Sequence, residues 1–163
     1  MKVSIQKRRT MQILDKQIRK SRVVDCPLDV VWWKWTTHEG LLTFFGKDNK
    51  IELTPGGAYE IYFLMDNPVG LKGGEGCKVL SFLPKEMLSF TWNAPPEFKE
   101  IRESVYHTWV IVNFKAVSDR RTEVLLTHLS WSDDKFWDSV YKYFEEAWGI
   151  VLGRLYESCK NNV

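Results

Sequence analysis

Nowhere does this chain run to eighteen consecutive apolar residues, so the sequence offers no helix able to span a bilayer. Its leader, MKVSIQKRRTMQ, lacks an apolar h-region; no signal peptide is expected, and the expected location is the cytoplasm. Cysteine is scarce. Cys26, Cys77 and Cys159 are odd in number and far apart, which fits buried thiols in a reducing compartment better than a disulfide framework. An excess of one charge is also missing, since 23 Lys and Arg face 21 Asp and Glu and leave a net charge of +2. That balance does not point to a nucleic-acid partner.

Local signatures of chemistry are missing as well. There is no CxxC, no HxxxH and no carboxylate–histidine cluster, and the three histidines fall on different elements, so no metal is expected. No GxSxG motif is present, and the cysteines have no base partner nearby in sequence. GLKGGEG (Gly70 to Gly76) lacks a GK[ST] ending and leads into a strand, so it reads as a hairpin loop and not a phosphate cradle. No cofactor is expected, and nothing in the sequence demands an enzyme.

What the chain has in abundance is rings. Aromatics make up 14% of its 163 residues, with eight tryptophans. The length suits one domain with a real core, and large rings both fill cores and line pockets for flat or greasy ligands. The dominant pattern runs from Ser132 to Lys160. Trp137, Tyr141, Phe144, Trp148, Leu152, Leu155 and Cys159 recur every three or four residues, the spacing of one helical stripe. Lys142, Glu146, Arg154 and Glu157 fall on the far side. Ser132, Asp133 and Asp134 suit the N-terminus of this helix, and Lys160 with the two following asparagines suits its end. Gly149 and Gly153 are unusual inside a helix; they either leave room at a pocket edge, admit a close neighbour, or are tolerated surface positions.

Ahead of that helix the pattern is mostly alternating. Residues 1–16 form a basic extension, read as a short docked helix or a solvated terminus, and 17–163 form a single domain. Gln17 to Asp25 is strand-like, and Pro27 fits the first turn of a helix reaching about Thr37. His38 to Phe45 is a second short helix. Strands are expected at Lys50–Leu53, Ala58–Met65, Gly76–Leu83 (with a bulge), Met87–Trp92, Ser104–Lys115 and Thr122–Leu129. Asn93 to Glu103, with two prolines, is expected to be a loop. Short turns between successive strands make them antiparallel, giving an α+β fold: a curved sheet of six or seven strands wrapped around the long C-terminal helix, with two short helices after the first strand.

This order of elements resembles the helix-grip fold of the START-like (SRPBCC), birch-pollen-allergen-like superfamily. Five segments are closer still to bacterial relatives of the activator of the heat-shock ATPase. They are VDCPLDVVWWKWTT (Val24 to Thr37), IELTPGGAYEIYF (Ile51 to Phe63), GCKVLSFLPKEMLSFTW (Gly76 to Trp92), TEVLLTHLSW (Thr122 to Trp131) and AWGIVLGRL (Ala147 to Leu155). The resemblance runs from about Gln17 to the end. It implies an apolar cavity between long helix and sheet, with the short helices and nearby loops at one mouth. It is specific for fold and weak for activity, because superfamily members include lipid and hormone binders, cyclases and co-chaperones.

Strand parity and helical stripe together supply a candidate cavity wall. The sheet contributes Tyr59, Ile61, Phe63, Leu88, Phe90, Trp92, Tyr106, Thr108, Val110, Val112 and His128. The long helix contributes Phe144, Trp148, Val151 and Leu152, and the helical corner Trp35, Phe44 and Phe45. Each apolar member fits plain core packing as well as a ligand wall. The polar tips of Tyr59, Tyr106, Thr108 and His128 either orient a ligand or satisfy one another. His128 is the one candidate acid–base group, with a hydrogen-bonded core histidine as the plainer alternative. His107 is expected to face outward and His38 to cap a helix or lie at the surface. Three functions are expected: shelter for a small apolar or aromatic molecule, a module acting on a chaperone ATPase, as the family resemblance implies, or cofactor-free cyclase or hydrolase chemistry through His128.

Overall fold

The computed structural model describes residues 9–160. Ile18–Val24 (β2) follows a two-residue strand, Ile13–Leu14 (β1), and leads into two short helices, Leu28–Thr36 (α1) and His38–Leu42 (α2). The Pro27 carbonyl accepts from the amides of Val30 and Val31, and the Thr37 hydroxyl caps α2 by accepting from Gly40 N–H at 3.0 Å. A hairpin of Asp48–Ile51 (β3) and Tyr59–Tyr62 (β4) follows. Next come Val79–Leu83 (β5), Met87–Trp92 (β6), a single turn of helix at Lys99–Arg102 (α3), Thr108–Ser118 (β7), Arg121–Leu129 (β8) and Trp131–Ser132 (β9). The chain closes on Trp137–Lys160 (α4), 24 residues and about 36 Å long at 1.5 Å per residue.

The main sheet is antiparallel, in the order β2-β8-β7-β6-β5. It thus holds five strands, fewer than the six or seven expected. The β3–β4 hairpin stands apart because isolated bridges (Ala58 with Lys78, Tyr62 with Gly73) replace a ladder beside β5. Glycine explains the interruption. Gly73 has φ +154°, and a Cβ there would lie 2.5 Å from the Ile61 carbonyl oxygen, so the chain passes where no side chain fits. The bulge expected in β5 is present as a register shift between Val79 and Ser81.

Helix α4 lies on the concave face and buries Trp137, Val140, Phe144, Trp148, Val151, Leu152, Leu155 and Cys159. Its far end meets the β2–α1 corner, where Cys26 and Cys159 form a disulfide with 5.4 Å between Cα atoms. The expectation of three free thiols is therefore corrected. Residues 133 apart in sequence meet because the helix runs back across the sheet. Cys77 stays a thiol, and burial pushes its pKa up to about 12.

Other expectations shift in detail. The helix starts at Trp137 and not at Ser132, because Asp133 is used elsewhere: it accepts from Gln12 N–H and pairs with Arg9 at 2.5 Å. In the leader, residues from Arg9 onward are neither helical nor free. Ile13 and Leu14 pair with Ser132 and Trp131. The first eight residues, with Lys2, Lys7 and Arg8, and the terminal Asn161 and Asn162 lie outside the described residues. The loop expected at 93–103 contains α3, and β7 begins at Thr108, four residues later than expected.

Candidate functional site

The middle of the grip is filled. Tyr59 stacks on Phe90 at 4.2 Å, and Trp35 meets Phe44 edge-on at 5.0 Å. Phe45 stacks on Trp92 at 5.7 Å, Trp92 lies 5.5 Å from Trp148, and Phe144 stacks on Trp148 at 5.9 Å. Ile61, Leu88, Val110, Val112 and Leu152 pack among them with almost no exposure. Among the described residues no enclosed chamber spans the whole expected wall, because rings of this size interdigitate.

Of the polar tips expected either to orient a ligand or to satisfy one another, Thr108 and His128 bond each other and the two tyrosines bond main-chain carbonyls. Tyr59 donates its hydroxyl to the Trp35 carbonyl at 2.9 Å, and Tyr106 donates to the carbonyl of Ser130. His128 is held on both sides. Trp148 donates its indole N–H to Nδ1 at 2.9 Å, which leaves the ring proton on Nε2, donated to Thr108 Oγ1 at 2.7 Å. The Thr108 hydroxyl passes its proton on to the Trp92 carbonyl at 3.1 Å. One directional chain thus ties α4 to β8, β7 and the end of β6. Burial holds the His128 pKa well below its ordinary value, since a cation there would be unsolvated and would face the Trp148 N–H. The ring is neutral, sealed from solvent and bonded at both nitrogens. His38 pairs through Nδ1 with Asn49 Oδ1 at 2.9 Å. His107 is half-buried, and burial together with the Arg102 charge lowers its pKa.

Space remains at the edge of the grip, not in its centre. A cleft of about 530 Å³ opens between α4 and the loops that join β4 to β5 and β6 to α3. Of the expected wall it takes Phe45, Phe63, Trp92, Phe144, Trp148 and Val151. Trp35, Tyr59, Ile61, Phe90, Tyr106, Thr108, Val110, His128 and Leu152 do not reach it, and neither do Leu88 and Val112. Phe44 faces a second, shallower depression with Arg22, Thr43, Gly153 and Ser158.

The remaining cleft residues come from places where periodicity carries no signal. Leu64, Lys72 and Gly73 come from one loop, and Asn93, Pro95, Pro96 and Glu97 from the other. From α4 come Tyr143, Ala147, Ile150 and Arg154, on the flank beside the buried stripe. Arg102 fastens the two loops together. Its guanidinium donates to the carbonyls of Gly70, Gly73 and Ala94, each at 2.7 Å, and to Glu75 Oε2 at 2.8 Å. Asn93 adds a bond from Nδ2 to the Glu75 carbonyl at 2.9 Å. The cleft walls are thus preformed. Only the loop's two prolines hinted at them in the sequence.

Chemically the cleft is a greasy slot with a charged rim. Its floor is the ring pair Trp92 and Trp148, and Lys72, Asn93, Glu97 and Arg154 supply its polar groups. Among the described residues, no group of three or more His, Cys, Asp or Glu side chains converges as a metal site would require. No helix there is long and apolar enough to cross a membrane.

Comparison with known proteins supports the same architecture. No curated protein matches the sequence. A protein from Mesorhizobium loti superposes with a TM-score of 0.71 at 15% identity, over 91% of this chain and 99% of its own. One from Nitrosomonas europaea gives 0.67 at 22% identity, over 89% and 94%. An HSP90 activator from Plasmodium falciparum gives 0.64 at 15% identity, over 85% and 92%. The family model described as "Activator of Hsp90 ATPase homolog 1-like protein" matches residues 25–159. The chain therefore belongs to the activator-of-Hsp90-ATPase-homologue family of the START-like superfamily.

Proposed function

We propose that this protein holds a small apolar or aromatic molecule in the edge cleft between α4 and the two loops. One observation carries the reading: a preformed slot of about 530 Å³, floored by Trp92 and Trp148, lies within the size range of small-molecule sites. The site is narrower than the wall expected from the sequence: of the rings that fill the centre of the grip, Phe45, Trp92, Phe144 and Trp148 line it, and Trp35, Tyr59 and Phe90 do not. Ligand capture and not turnover is the function proposed, because His128 lies outside the cleft with both nitrogens engaged. The test is binding of N-phenyl-1-naphthylamine, a neutral apolar fluorophore, to the purified protein. Enhanced emission is expected, and Ala147→Phe, which fills the cleft, should abolish it. Equal emission from both proteins would remove the reading.

Family membership favours a second reading, action on a chaperone ATPase through an exposed face. Added protein should then stimulate ATP turnover by a purified Hsp90-type chaperone, and no effect at saturation rules that partner out. The cytoplasmic location expected from the sequence is carried into this proposal. The Cys26–Cys159 bond weighs against it, since disulfides persist in oxidising compartments. Counting free thiols in freshly prepared protein measures the balance.

A further inference from the structure

The cleft has a direction. Tyr143 and Arg154 both line it, eleven positions apart on α4, which is about 16 Å of helix. At the Tyr143 end stands Glu97, whose charge adds to burial in raising the Tyr143 pKa, and Phe98 packs edge-on against the Tyr143 ring at 5.9 Å. At the other end stands Arg154. Among the described residues no carboxylate comes within ion-pair distance of it; Glu157, one turn on, pairs with Lys160 at 3.7 Å. Lys72, on the facing loop, is likewise without an ion pair. Between the two ends the wall is apolar, from Phe144 through Ala147 and Trp148 to Val151.

We propose that the ligand is a single-tailed carboxylate, its apolar body along the Phe144–Val151 wall and its anionic head at Arg154. The inference rests on the cleft being a ligand site and adds the chemical class that it takes. Two cations and one carboxylate at the rim leave one positive charge in excess, which matches a monoanion. The Arg154 guanidinium at the mouth offers two parallel N–H donors that a carboxylate accepts through both oxygens, and a phosphate monoester, with its second negative charge, would exceed the single positive charge in excess. The neighbouring depression brings Arg22 to the same side of α4; its own carboxylate, Glu157, is the one engaged by Lys160. Glu97 at the opposite end repels an acid head and so sets the orientation.

Tryptophan emission reads the site directly, since Trp92 and Trp148 form its floor. Decanoate, decanol and decylamine share a tail and differ in head group. At low salt decanoate should bind about fivefold tighter than decanol, the most that a solvent-exposed ion pair supplies, and decylamine more weakly than either. Added salt should erase the preference. Arg154→Gln should bring decanoate down to the decanol level, and Glu97→Gln should tighten it. Decanol binding as well as decanoate, or an Arg154→Gln protein that keeps the preference, overturns the carboxylate while leaving an apolar site. Failure of all three probes to bind removes the cleft reading and this inference with it.

Discussion

His128→Leu isolates the buried relay, because leucine keeps the volume and removes both ring nitrogens. The Trp148 indole N–H, almost fully buried, is left without an acceptor. Thr108 keeps its bond to the Trp92 carbonyl. An orphaned buried donor costs about 1–3 kcal/mol, so a loss of about 2 kcal/mol is expected at about pH 8. For a domain of this size that is a fall of about 4–8 °C in Tm. Acid should shrink the difference. Burial depresses the folded-state pKa of His128 below the ordinary 6.5, so between the two values only the unfolded chain binds the proton. Stability from the neutral ring is complete above pH 6.5 and is lost as pH falls, at about 1.4 kcal/mol per unit. By about pH 5 the native protein loses up to about 2 kcal/mol that the leucine protein cannot lose. Every other side chain is common to both proteins, so its contribution cancels. Urea unfolding at the two pH values gives the answer: a gap that stays constant, or is absent at pH 8, refutes the relay.

Three further outcomes follow from the same geometry. Gly149→Ala and Gly153→Ala together should raise stability by about 1–2 kcal/mol in thermal unfolding, because a Cβ at either position meets nothing within 4 Å. Arg102→Met should cost about 3 kcal/mol and speed proteolysis of the 63–76 loop, since it frees three carbonyls and leaves the largely buried Glu75 carboxylate unpaired. Cys26→Ser should lower stability by up to about 5 kcal/mol, the chain-entropy limit for a cross-link spanning 133 positions, and should make Tm insensitive to reductant.

The sequence made the fold legible because its two periodicities are strong. The α4 stripe and the alternation in β7 and β8 each bury one face, and the strand faces meet the stripe as expected. Periodicity reports which side is buried, not whether facing sides touch or leave a gap. That is why Phe90, Tyr59 and His128 read as a cavity wall, although Tyr59 closes on Phe90 and His128 on Phe144 and Trp148. The cleft depends on what periodicity cannot see: a loop pinned by Arg102, a pair of prolines, and α4 residues one step off the stripe. The Cys26–Cys159 pair was hidden for a related reason. Sequence separation of 133 carries no information about two ends that the return of α4 across the sheet brings together.

The closed centre and the open edge are one device, joined at Trp148. Its indole N–H is held by His128 while its ring lines the cleft, so the core bond fixes the orientation of the cleft floor. Such fixing removes a rotamer's worth of freedom that a ligand would otherwise have to restrict on binding. His128→Leu should therefore weaken capture of the neutral naphthylamine as well as stability, although residue 128 lies outside the cleft. Trp148→Phe shortens the floor and removes the donor together, so it cannot separate the two effects. Thr108→Val can, because it cuts the relay beyond the histidine and leaves the Trp148 bond in place. If Thr108→Val and His128→Leu weaken capture equally at a temperature where both proteins are folded, the orientation of Trp148 is not what the relay supplies.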